Sequence, residues 1–463
     1  METILQKLIH HSETGPLSLH MPGHKRNLTL APYLECLGAQ FDISEIDGFD
    51  DLHAPTGIIK ESMESAAKLW NSQKTFFSVN GSTAGILSGI RAATKRGDTV
   101  VVARNCHKSI YHALELCDLR PIFLAPPLIE AFGCAAAIPP QDIEAVLSAH
   151  DDVKLLILTS PTYDGIISDI FEISKICHAK KVPVLVDEAH GAHLGFHAAF
   201  LGGAVKAGAD LVVQSLHKTL PSLTQTAIVH LNSDRIDDRE LARQLAIFQS
   251  SSPSYLFLAS IDSCIHLIET EGTALFDAWN QYLTAFACDT KSLQYLRILG
   301  SKESVFRDKS KIVISTRQTR CSGGELVSIL RNRYGLELEM SLEDYAVAMT
   351  GLGEDGKALK QLATALCQLD MEFGCERPAK ESQMYPIPKR RISIASAVEL
   401  PHESKEPADA LGETSAGYLW AYPPGIPLIT PGEVVDATFL EHLSVMRRAG
   451  VHILPDTFYV VRD

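Results

Sequence analysis

Two ionisable residues, Asp187 and Lys218, stand where buried strands would end. Asp187 follows the apolar run Val182–Val186 (VPVLV), and Lys218 comes shortly after the apolar run Leu211–Val213. A carboxylate at such a place faces a crevice with low-dielectric walls and needs a cationic partner. A lysine beside a sheet can lose its charge by desolvation and then attack a carbonyl carbon. Taken singly, the aspartate also suits a helix cap and the lysine an exposed strand end, so only the pair is informative.

An aspartate on one strand and a lysine one strand–turn–helix unit later form the pair that pyridoxal phosphate chemistry requires. In that chemistry the lysine forms an imine with the cofactor, and the aspartate keeps the ring nitrogen protonated, so that the ring stays an electron sink. His107 follows the apolar run Thr99–Ala103 and a short loop. Its imidazole could stack on a flat heteroaromatic ring and handle protons. A surface position for this histidine is an equally good interpretation of the sequence alone.

The phosphate of such a cofactor needs hydrogen-bond donors, and the segment Asn80–Gly85 (NGSTAG) offers them ahead of a predicted helix. Backbone N–H groups and the hydroxyls of Ser82 and Thr83 can converge on an anion at a helix N-terminus. Gly81 lets the backbone approach the anion closely. The alternative is an ordinary helix cap by one of the two hydroxyls.

Ser215 and His217 precede Lys218 closely and are further candidates for the cofactor site. On a regular strand, Ser215 and His217 face one side and Lys218 faces the other. The three side chains therefore reach one ligand only if the chain turns at residues 216–218.

From about residue 62, short apolar runs alternate with helical patterns. The predicted strands are Thr99–Ala103, Pro121–Leu124, Leu155–Leu158, Val182–Val186 and Leu211–Val213, and the predicted helices include Ser82–Lys95, His107–Leu116 and Ile143–Ser148. Continuously apolar strands that alternate with helices predict a mostly parallel sheet covered on both faces. Ligands bind at the carboxyl ends of such strands. Polar clusters follow four runs there, and we expect them to converge on one crevice: residues 104–107, 160–163, 187–190 and 215–218.

We expect three parts along the chain. Residues 1–60 are irregular, which predicts a short helix followed by an arm that wraps on another surface. Residues 61–295 are expected to form a large α/β domain, and residues 296–463 a smaller α+β region. The smaller region is predicted to contain a strand, two helices and a loop-rich stretch, at Ser310–Thr316, Gly324–Tyr334, Gly356–Leu369 and 376–410.

The composition excludes several classes of protein. The chain has 463 residues, of which 46% are hydrophobic and 21% charged, as in a globular protein and unlike a disordered one. The formal net charge of −14 argues against a nucleic acid or an anionic membrane as partner. The sequence has no run of apolar residues long enough for a membrane helix, and residues 1–15 lack the apolar core of a signal peptide. Ten cysteines are scattered without a C-x-x-C pair, so we expect reduced thiols and a cytoplasmic protein.

Two other interpretations of the histidine-rich segment are weaker. Residues 187–190 spell D-E-A-H, as in a nucleic-acid motor, but that function needs a phosphate loop upstream. The G-x-x-x-x-G-K run at Gly351–Lys357 comes later and is not followed by serine or threonine. His190, His193 and His197 could ligate a metal, but their spacing is not that of the H-E-x-x-H helix. We therefore expect no metal.

These motifs together resemble the ornithine/lysine/arginine decarboxylases, a family of fold-type-I pyridoxal phosphate enzymes, in the shorter Gram-positive form without an N-terminal wing domain. The motifs occur in family order over nearly the whole length, at His20–Lys25 (HMPGHK), Asp47–Gly57, Asn80–Thr83, Arg104–Ser109, Ser160–Tyr163, Asp187–His193, Ser215–Lys218, Tyr422–Pro427 and Pro431–Glu433. The combination of S-x-H-K with D-E-A-H is the specific part. The resemblance implies a large cofactor domain with a mostly parallel sheet of the seven-stranded type, as in aspartate aminotransferase, and a smaller C-terminal α+β domain.

The resemblance also implies roles for the site residues. Lys218 would be the imine lysine, Asp187 the partner of the ring nitrogen, and His107 a ring stacked on the cofactor, with Ala189 against the opposite face. The other residues expected around the cofactor are Gly81, Ser82, Thr83, His190, Ser215 and His217. A hydroxyl from a neighbouring subunit is expected at the phosphate, and Ser251 in the matching segment 250–253 takes that place, with serines where threonines are expected. The resemblance thus implies a homodimer, or a higher homo-oligomer, with shared active sites.

The implied reaction is the α-decarboxylation of a basic amino acid to carbon dioxide and a polyamine or its precursor. Arginine or lysine is the expected substrate, with ornithine as a further possibility. The α-carbon would be protonated by one of three groups, Lys218, His107 or His217. Four carboxylates are candidates for a pocket that favours a cationic substrate: Asp47, Asp50, Asp51 and Glu433.

Two alternatives stay open on the sequence alone. The first is another reaction on the same scaffold, such as aminotransfer, for which Arg317, Arg320 or Arg331 could hold the substrate carboxylate. The second is a homologue that binds pyridoxal phosphate but has lost catalysis.

Overall fold

The computed structural model describes residues 2–304, 306–374, 386–422, 425–448 and 451–462. Its helices are α1 (Ile4–Thr14), α2 (Ile58–Trp70), α3 (Gly81–Ala93), α4 (Lys108–Leu116), α5 (Pro140–Ala149), α6 (Ile170–Ala179), α7 (Leu216–Thr219), α8 (Asp238–Phe248), α9 (Tyr255–Asp289), α10 (Gly323–Tyr334), α11 (Lys357–Phe373), α12 (Ile394–Glu399) and α13 (Ala437–Arg448). Its strands are β1 (Lys74–Ser78), β2 (Thr99–Ala103), β3 (Arg120–Leu124), β4 (Leu128–Ile129), β5 (Cys134–Ala135), β6 (Val153–Thr159), β7 (Val184–Asp187), β8 (Leu211–Ser215), β9 (Ala227–Leu231), β10 (Arg297–Ile298), β11 (Lys311–Ser315), β12 (Met340–Ser341), β13 (Tyr345–Met349), β14 (His402–Lys405), β15 (Leu419–Tyr422), β16 (Ile426–Ile429), β17 (His452–Leu454) and β18 (Phe458–Val461). Short 3-10 helices lie at Pro32–Leu37, Ala39–Phe41 and Pro407–Asp409.

The largest sheet has seven strands in the order β1-β9-β8-β7-β6-β2-β3. The five strands from β8 to β3 in this order pair in parallel, whereas β9 is antiparallel to both of its neighbours. All residues of β2, β7, β8 and β9 are buried, because hydrophobic clusters cover both faces of the sheet. The prediction of a mostly parallel, seven-stranded α/β sheet is confirmed.

The predicted strands of this sheet lie within a few residues of the observed ones. Thr99–Ala103 has the same bounds in both. The run at residues 211–213 is too short as a prediction, because β8 continues through the polar residue Gln214. Gln214 is buried there because its amide donates a hydrogen bond of 2.7 Å to Oε2 of Glu188. A buried polar residue that has a hydrogen-bond partner can therefore extend a strand beyond the apolar run from which the strand is predicted.

Helix α3 lies unusually close to the sheet. A Cβ atom at Gly89 would stand 2.2 Å from Cδ2 of Leu211, and one at Gly85 would stand 2.7 Å from Cγ2 of Val229. Glycine at these positions therefore lets the helix rest on β8 and β9. The packing directs the N-terminus of α3 to the edge of the sheet where β8 ends, since Gly81 N–H bonds to the carbonyl of Gln225 just before β9.

The N-terminal segment begins with the predicted short helix, which packs on the 35-residue helix α9. The N–H of Ile4 donates to Oδ2 of Asp262 at 2.7 Å, and the hydroxyl of Ser62 in α2 donates to Oδ1 of the same carboxylate at 2.5 Å. Residues that follow α1 expose apolar side chains to solvent: Leu17, Leu19, Met21, Leu30, Tyr33 and Leu37.

The C-terminal part contains a four-stranded antiparallel sheet, β10-β11-β13-β12, and smaller sheets of β16-β15-β17 and β14-β18. The predicted strand and two helices of this part correspond to β11, α10 and α11. Of the stretch predicted to be loop-rich, residues 376–385 lie outside the described residues, and the rest includes α12 and β14. The division into residues 1–60, 61–295 and 296–463 stays a proposal. Within the described ranges, no helix has the length and apolar character needed to cross a membrane.

Candidate active site

A cavity of about 260 Å³ opens where the parallel strands end. The strand ends and the helices after them supply most of its wall, namely Ser82, Asn105, His107, Lys108, Thr159, Thr162, Tyr163, Asp164, Asp187, Ala189, His190 and Lys218. The C-terminal part closes it with Met340, Leu342, Tyr345 and Ile426, and Ala135 of β5 completes the wall. All four predicted polar clusters contribute to the wall: residues 187–190 supply three lining residues, residues 104–107 and 160–163 supply two each, and residues 215–218 supply Lys218.

Lys218 reaches the cavity because the chain turns directly after β8. Residues 216–219 form α7, a single helical turn, which supplies the turn that the sequence requires. The Nζ atom of Lys218 lies 3.0 Å from Nε2 of His190. Burial lowers the pKa of Lys218, while the negative charge of Asp187 opposes that shift. The lysine is therefore held nearer to its uncharged, nucleophilic form than an exposed lysine.

Asp187 ends β7 and is 2% exposed. Its Oδ1 accepts a hydrogen bond of 3.1 Å from the N–H of Ala189. Burial raises the pKa of this carboxyl group, and Lys218 counteracts the shift when its amine is charged. A cationic ring nitrogen is the partner that would keep such a carboxylate ionised.

His107 caps the N-terminus of α4 and lines the cavity. Its Nδ1 accepts a hydrogen bond of 3.2 Å from the N–H of Ser109. Burial, together with the charges of Lys218 and Lys108, lowers the pKa of His107 to about 4. The ring is therefore neutral at physiological pH and, because Nδ1 is an acceptor, carries its proton on Nε2.

The N-terminus of α3 has the features of an anion site. Gly81 has a φ of 74°, and Asn80 at the N-cap makes no side-chain hydrogen bond to the helix. Ser82 lines the cavity beside this helix end, whereas the side chain of Thr83 is exposed. The backbone donors of a thirteen-residue helix thus point to the side of the cavity that Ser82 marks.

Five of the residues expected around the cofactor do not line the cavity, namely Gly81 and Thr83 of α3 and also Ser215, His217 and Ser251. The Oγ of Ser215 is buried and has no hydrogen-bond partner within the described part of the chain. His217 is half-buried and donates from Nδ1 to the carbonyl of Thr226 at 3.1 Å. Ser251 is exposed, in a segment that the N–H of Ser250 ties to Oδ1 of Asn80 at 3.2 Å.

His190 connects two lysines, one of which the sequence analysis misses. Besides its contact with Lys218, the ring places Nδ1 at 2.9 Å from Nζ of Lys311, the first residue of β11. Tyr163 packs edge-on against the same ring, with centroids 4.8 Å apart. A lysine that opens an apolar strand (KIVIS) is the only sequence signal for Lys311, and it does not distinguish a buried lysine from an exposed one.

The remaining histidines of this segment have other partners. Nε2 of His193 lies 3.1 Å from Oδ1 of Asp308, and Nε2 of His197 lies 3.1 Å from Oδ1 of Asp277. Within the described residues, no group of three or more His, Cys, Asp or Glu side chains is placed to hold a metal ion.

Two of the four carboxylates expected at a cation pocket have structural partners instead. Glu433 is 1% exposed and forms a bidentate ion pair with Arg104, at 2.7 and 2.9 Å, and a third contact with Arg390 at 3.2 Å. Asp50 accepts hydrogen bonds from backbone N–H groups at the start of α2, including that of Gly57 at 2.8 Å. Expecting these two in the pocket is wrong, because each carboxylate is already saturated by buried donors.

The other two expected carboxylates, Asp47 and Asp51, are exposed and do not line the cavity. Asp164, which the sequence analysis does not single out, does line it. Glu339 approaches the same wall and accepts a hydrogen bond from the hydroxyl of Tyr163. Both positions come from loops whose meeting depends on the complete fold.

The described residues fit pyridoxal phosphate. Ser215 holds a buried hydroxyl without a partner, α3 offers an uncapped N-terminus, and Lys218 and Asp187 face one cavity. This sheet topology, with such a site at the carboxyl ends of its strands, is that of the fold-type-I enzymes, and the residues present fit their cofactor pyridoxal phosphate.

Comparisons with known proteins give the family. The family described as Orn/Lys/Arg decarboxylase, major domain, matches residues 3–295. The arginine decarboxylase of Halalkalibacterium halodurans is 32% identical over 470 residues, which cover 98% of this chain and 96% of that protein. The lysine decarboxylase LdcA of Pseudomonas aeruginosa is 28% identical over 296 residues, which cover 57% of this chain and 39% of that protein. The chain belongs to the Orn/Lys/Arg decarboxylase family.

A solved structure agrees with this assignment at the level of the fold. The lysine decarboxylase LdcF of Francisella novicida superposes with a TM-score of 0.85 at 19% sequence identity, over 100% of this chain and 81% of that chain.

Proposed function

We propose that this pyridoxal-phosphate-dependent decarboxylase acts on arginine in preference to lysine and ornithine. The observation that carries the decarboxylase function is one cavity lined by both Lys218 and Asp187. Arginine is favoured because the arginine decarboxylases among the relatives match this chain over nearly its whole length, whereas the lysine decarboxylases match about half of it.

Some residues of the site control the positions of protons, and others bind the cofactor. When bound, the cofactor supplies an electron sink for the carbon that loses carbon dioxide. Asp187 would hold a proton at the ring nitrogen, and the N-terminus of α3 with Ser82 and Ser215 would bind the phosphate. Loss of carbon dioxide leaves the α-carbon in need of one proton. Lys218 is the better acid for it once its amine has taken up a proton, since the pKa of His107 is too low for a protonated ring at neutral pH and His217 lies outside the cavity.

Negative charge in the cavity supports a cationic substrate. Oδ1 of Asp164 is buried and has no hydrogen-bond partner among the described residues. Burial raises the pKa of Asp164 to about 6, which leaves the carboxyl group mostly ionised above pH 7. A guanidinium or ammonium group at the end of the substrate is the partner that such an oxygen needs.

Aminotransfer is less well supported. No arginine lines the cavity within the described residues. Arg317 pairs with Asp344 at 3.5 Å, and Arg331 forms a bidentate pair with Glu337 on the surface. Neither guanidinium is placed to hold a substrate carboxylate at Lys218.

A homodimer with shared sites is the assembly we propose. The exposed apolar residues of the N-terminal segment, such as Leu17 and Leu19, would be covered by a second copy. Ser251 is exposed close to the N-terminus of α3 and is therefore accessible for the predicted contact with a neighbouring subunit. A cytoplasmic location also stays a proposal.

The test is a product analysis with the purified, cofactor-loaded protein. Carbon dioxide and the matching amine are measured from arginine, lysine and ornithine, and keto acids are measured in the same samples. We expect carbon dioxide to be released faster from arginine than from lysine or ornithine. Faster release of carbon dioxide from lysine than from arginine would overturn the proposal that arginine is the preferred substrate. A keto acid without carbon dioxide would favour aminotransfer. Bound cofactor with neither product would favour a homologue without catalysis.

A further inference from the structure

A second buried lysine stands behind the site in line with the first. Lys311 is 0% exposed, and its Nζ lies 2.9 Å from Nδ1 of His190. The other ring nitrogen of His190, Nε2, lies 3.0 Å from Nζ of Lys218. The three side chains form a row that begins in the core and ends in the cavity.

The row allows only certain positions for its protons. Burial and the nearby lysines lower the pKa of His190 well below its usual value, so that the ring is neutral. A neutral imidazole has one N–H donor and one nitrogen that accepts, and an ammonium group can only donate. While both contacts of His190 exist, the amine that faces the ring N–H is therefore uncharged and accepts, and the amine that faces the unprotonated ring nitrogen donates.

Burial lowers the pKa of Lys311 to about 8, and the negative charge of Asp308 opposes that shift, so that the ammonium form still predominates at neutral pH. Asp308 lies near Lys311 and accepts hydrogen bonds from Ser310, through N–H at 2.9 Å and through Oγ at 2.7 Å. These bonds and His193 hold the pKa of Asp308 at about 2 in spite of its burial, so that its negative charge is permanent. The other groups that act on Lys311 are Asp164, Glu339 and Lys218.

Lys218 has less support for a charge. The groups that act on its amine are Asp187 and Glu339, with the neutral His190 in contact and His107 and His217 nearby. Burial raises the pKa of Asp187, so that its negative charge is less secure than that of Asp308.

The stem of Lys311 is also fixed in place. Gly165 packs against it so closely that a Cβ atom there would lie 2.7 Å from Cβ of Lys311. The φ of Gly165 is 85°, which also favours glycine at this position. The backbone after β6 thus holds the aliphatic part of the side chain and aims its amine at His190.

We propose that Lys311 is a positioning residue that donates to Nδ1 of His190, keeps the ring proton on Nε2, and so holds Nζ of Lys218 as an uncharged acceptor. An uncharged amine is the form that attacks a carbonyl carbon. The proposal rests on the function assigned to Lys218 above, and it adds a residue from the C-terminal part to the control of that amine.

The first test measures the amine of Lys218 directly. The full-length protein without cofactor is labelled with acetic anhydride at a series of pH values, and the labelled fraction of Lys218 is read by peptide mass spectrometry. In Lys311→Met we expect the midpoint for Lys218 to rise by about one pH unit, with about tenfold slower labelling at neutral pH. Lys309→Met is the matched control, because Lys309 is also partly buried but contacts Asn280 and not His190. An unchanged midpoint in a folded Lys311→Met protein overturns the proposal.

The second test needs no variant. The ¹⁵N chemical shifts of His190 show which ring nitrogen carries the proton, and we expect a protonated Nε2 and an unprotonated Nδ1. A proton on Nδ1 contradicts the proposal. Both readouts are independent of the substrate, so a failure of arginine decarboxylation and a failure of this inference are separate results.

Discussion

Burial is the main cause of the protonation states around the cavity. It raises the pKa of Asp187, raises that of Asp164 to about 6, and lowers that of His107 to about 4. In each case the charged form is disfavoured, and a neighbouring charge or hydrogen bond decides how far the shift goes. The site thus combines neutral imidazoles with carboxylates that become fully ionised when a cation binds to them. Such an environment suits a cationic cofactor ring and a cationic substrate.

His107 should not titrate in the range in which histidines usually do. Burial opposes protonation of the ring, so we expect the ¹³Cε1 resonance of His107 to stay constant from pH 8 to 5. The resonance is assigned with His107→Asn. A midpoint near 6.5 in the unmodified protein would contradict this account of the site.

Asp164 should contribute to substrate binding through its charge. Asp164→Asn keeps the shape of the side chain but removes the negative charge, so we expect KM for the basic substrate to rise about tenfold or more, and kcat to change less. The measurement is steady-state carbon dioxide release at pH 8, where the carboxyl group is ionised. Asp47→Asn is the matched control, because Asp47 is exposed and lies outside the cavity. Equal KM values in all three proteins would remove Asp164 from the substrate pocket.

At the scale of elements, a buried ion pair joins the C-terminal part to the large sheet. Arg104 directly follows β2, and its guanidinium stacks 4.7 Å from the ring centroid of Phe123 in β3 while it binds Glu433. Removing one partner of a buried pair leaves the other charge uncompensated. We therefore expect Glu433→Gln to lower the free energy of unfolding by about 3 kcal/mol, measured by urea denaturation.

The control for this variant is Glu337→Gln. Glu337 also makes a bidentate pair, with Arg331, but on the surface, where water screens the charges. Glu337→Gln should lower the free energy of unfolding clearly less than Glu433→Gln does. Similar decreases in the free energy of unfolding for the two variants would show that the buried ion pair of Arg104 stabilises the protein no more than the surface pair.

Much of the cofactor side of the site is predictable from local sequence. Lys218, Asp187 and His107 each follow a continuous apolar run, and such runs end at one edge of a parallel sheet. The rest depends on contacts between distant segments. Lys311 starts a strand like any exposed lysine, and its burial follows only from the pairing of β11 with β13 and the approach of Gly165. Glu433 looks like a free carboxylate until the fold brings Arg104 to it.

At the scale of the whole molecule, the N-terminal segment presents an apolar surface. Leu17 and Leu19 are 95% and 97% exposed, which is unusual for two leucines so close together. We expect light scattering to show that the protein is a dimer. The dimer of the double variant Leu17→Asp, Leu19→Asp should dissociate at a higher protein concentration than the unmodified dimer. Leu116→Asp, on the exposed side of α4, is the control for a general effect of charge. A monomer at all concentrations, or an unchanged dimer in the double variant, would contradict the proposed interface.

We expect Lys218 to be the lysine that bonds to the cofactor at the ends of the parallel strands. The direct measurement is borohydride reduction of the cofactor-loaded protein, followed by digestion and mass spectrometry of the modified peptide. We expect one modified lysine, Lys218, and no modification of Lys311 on the other side of His190. A modification at Lys311 or at any other lysine, or none in a protein that retains its cofactor, would contradict the account.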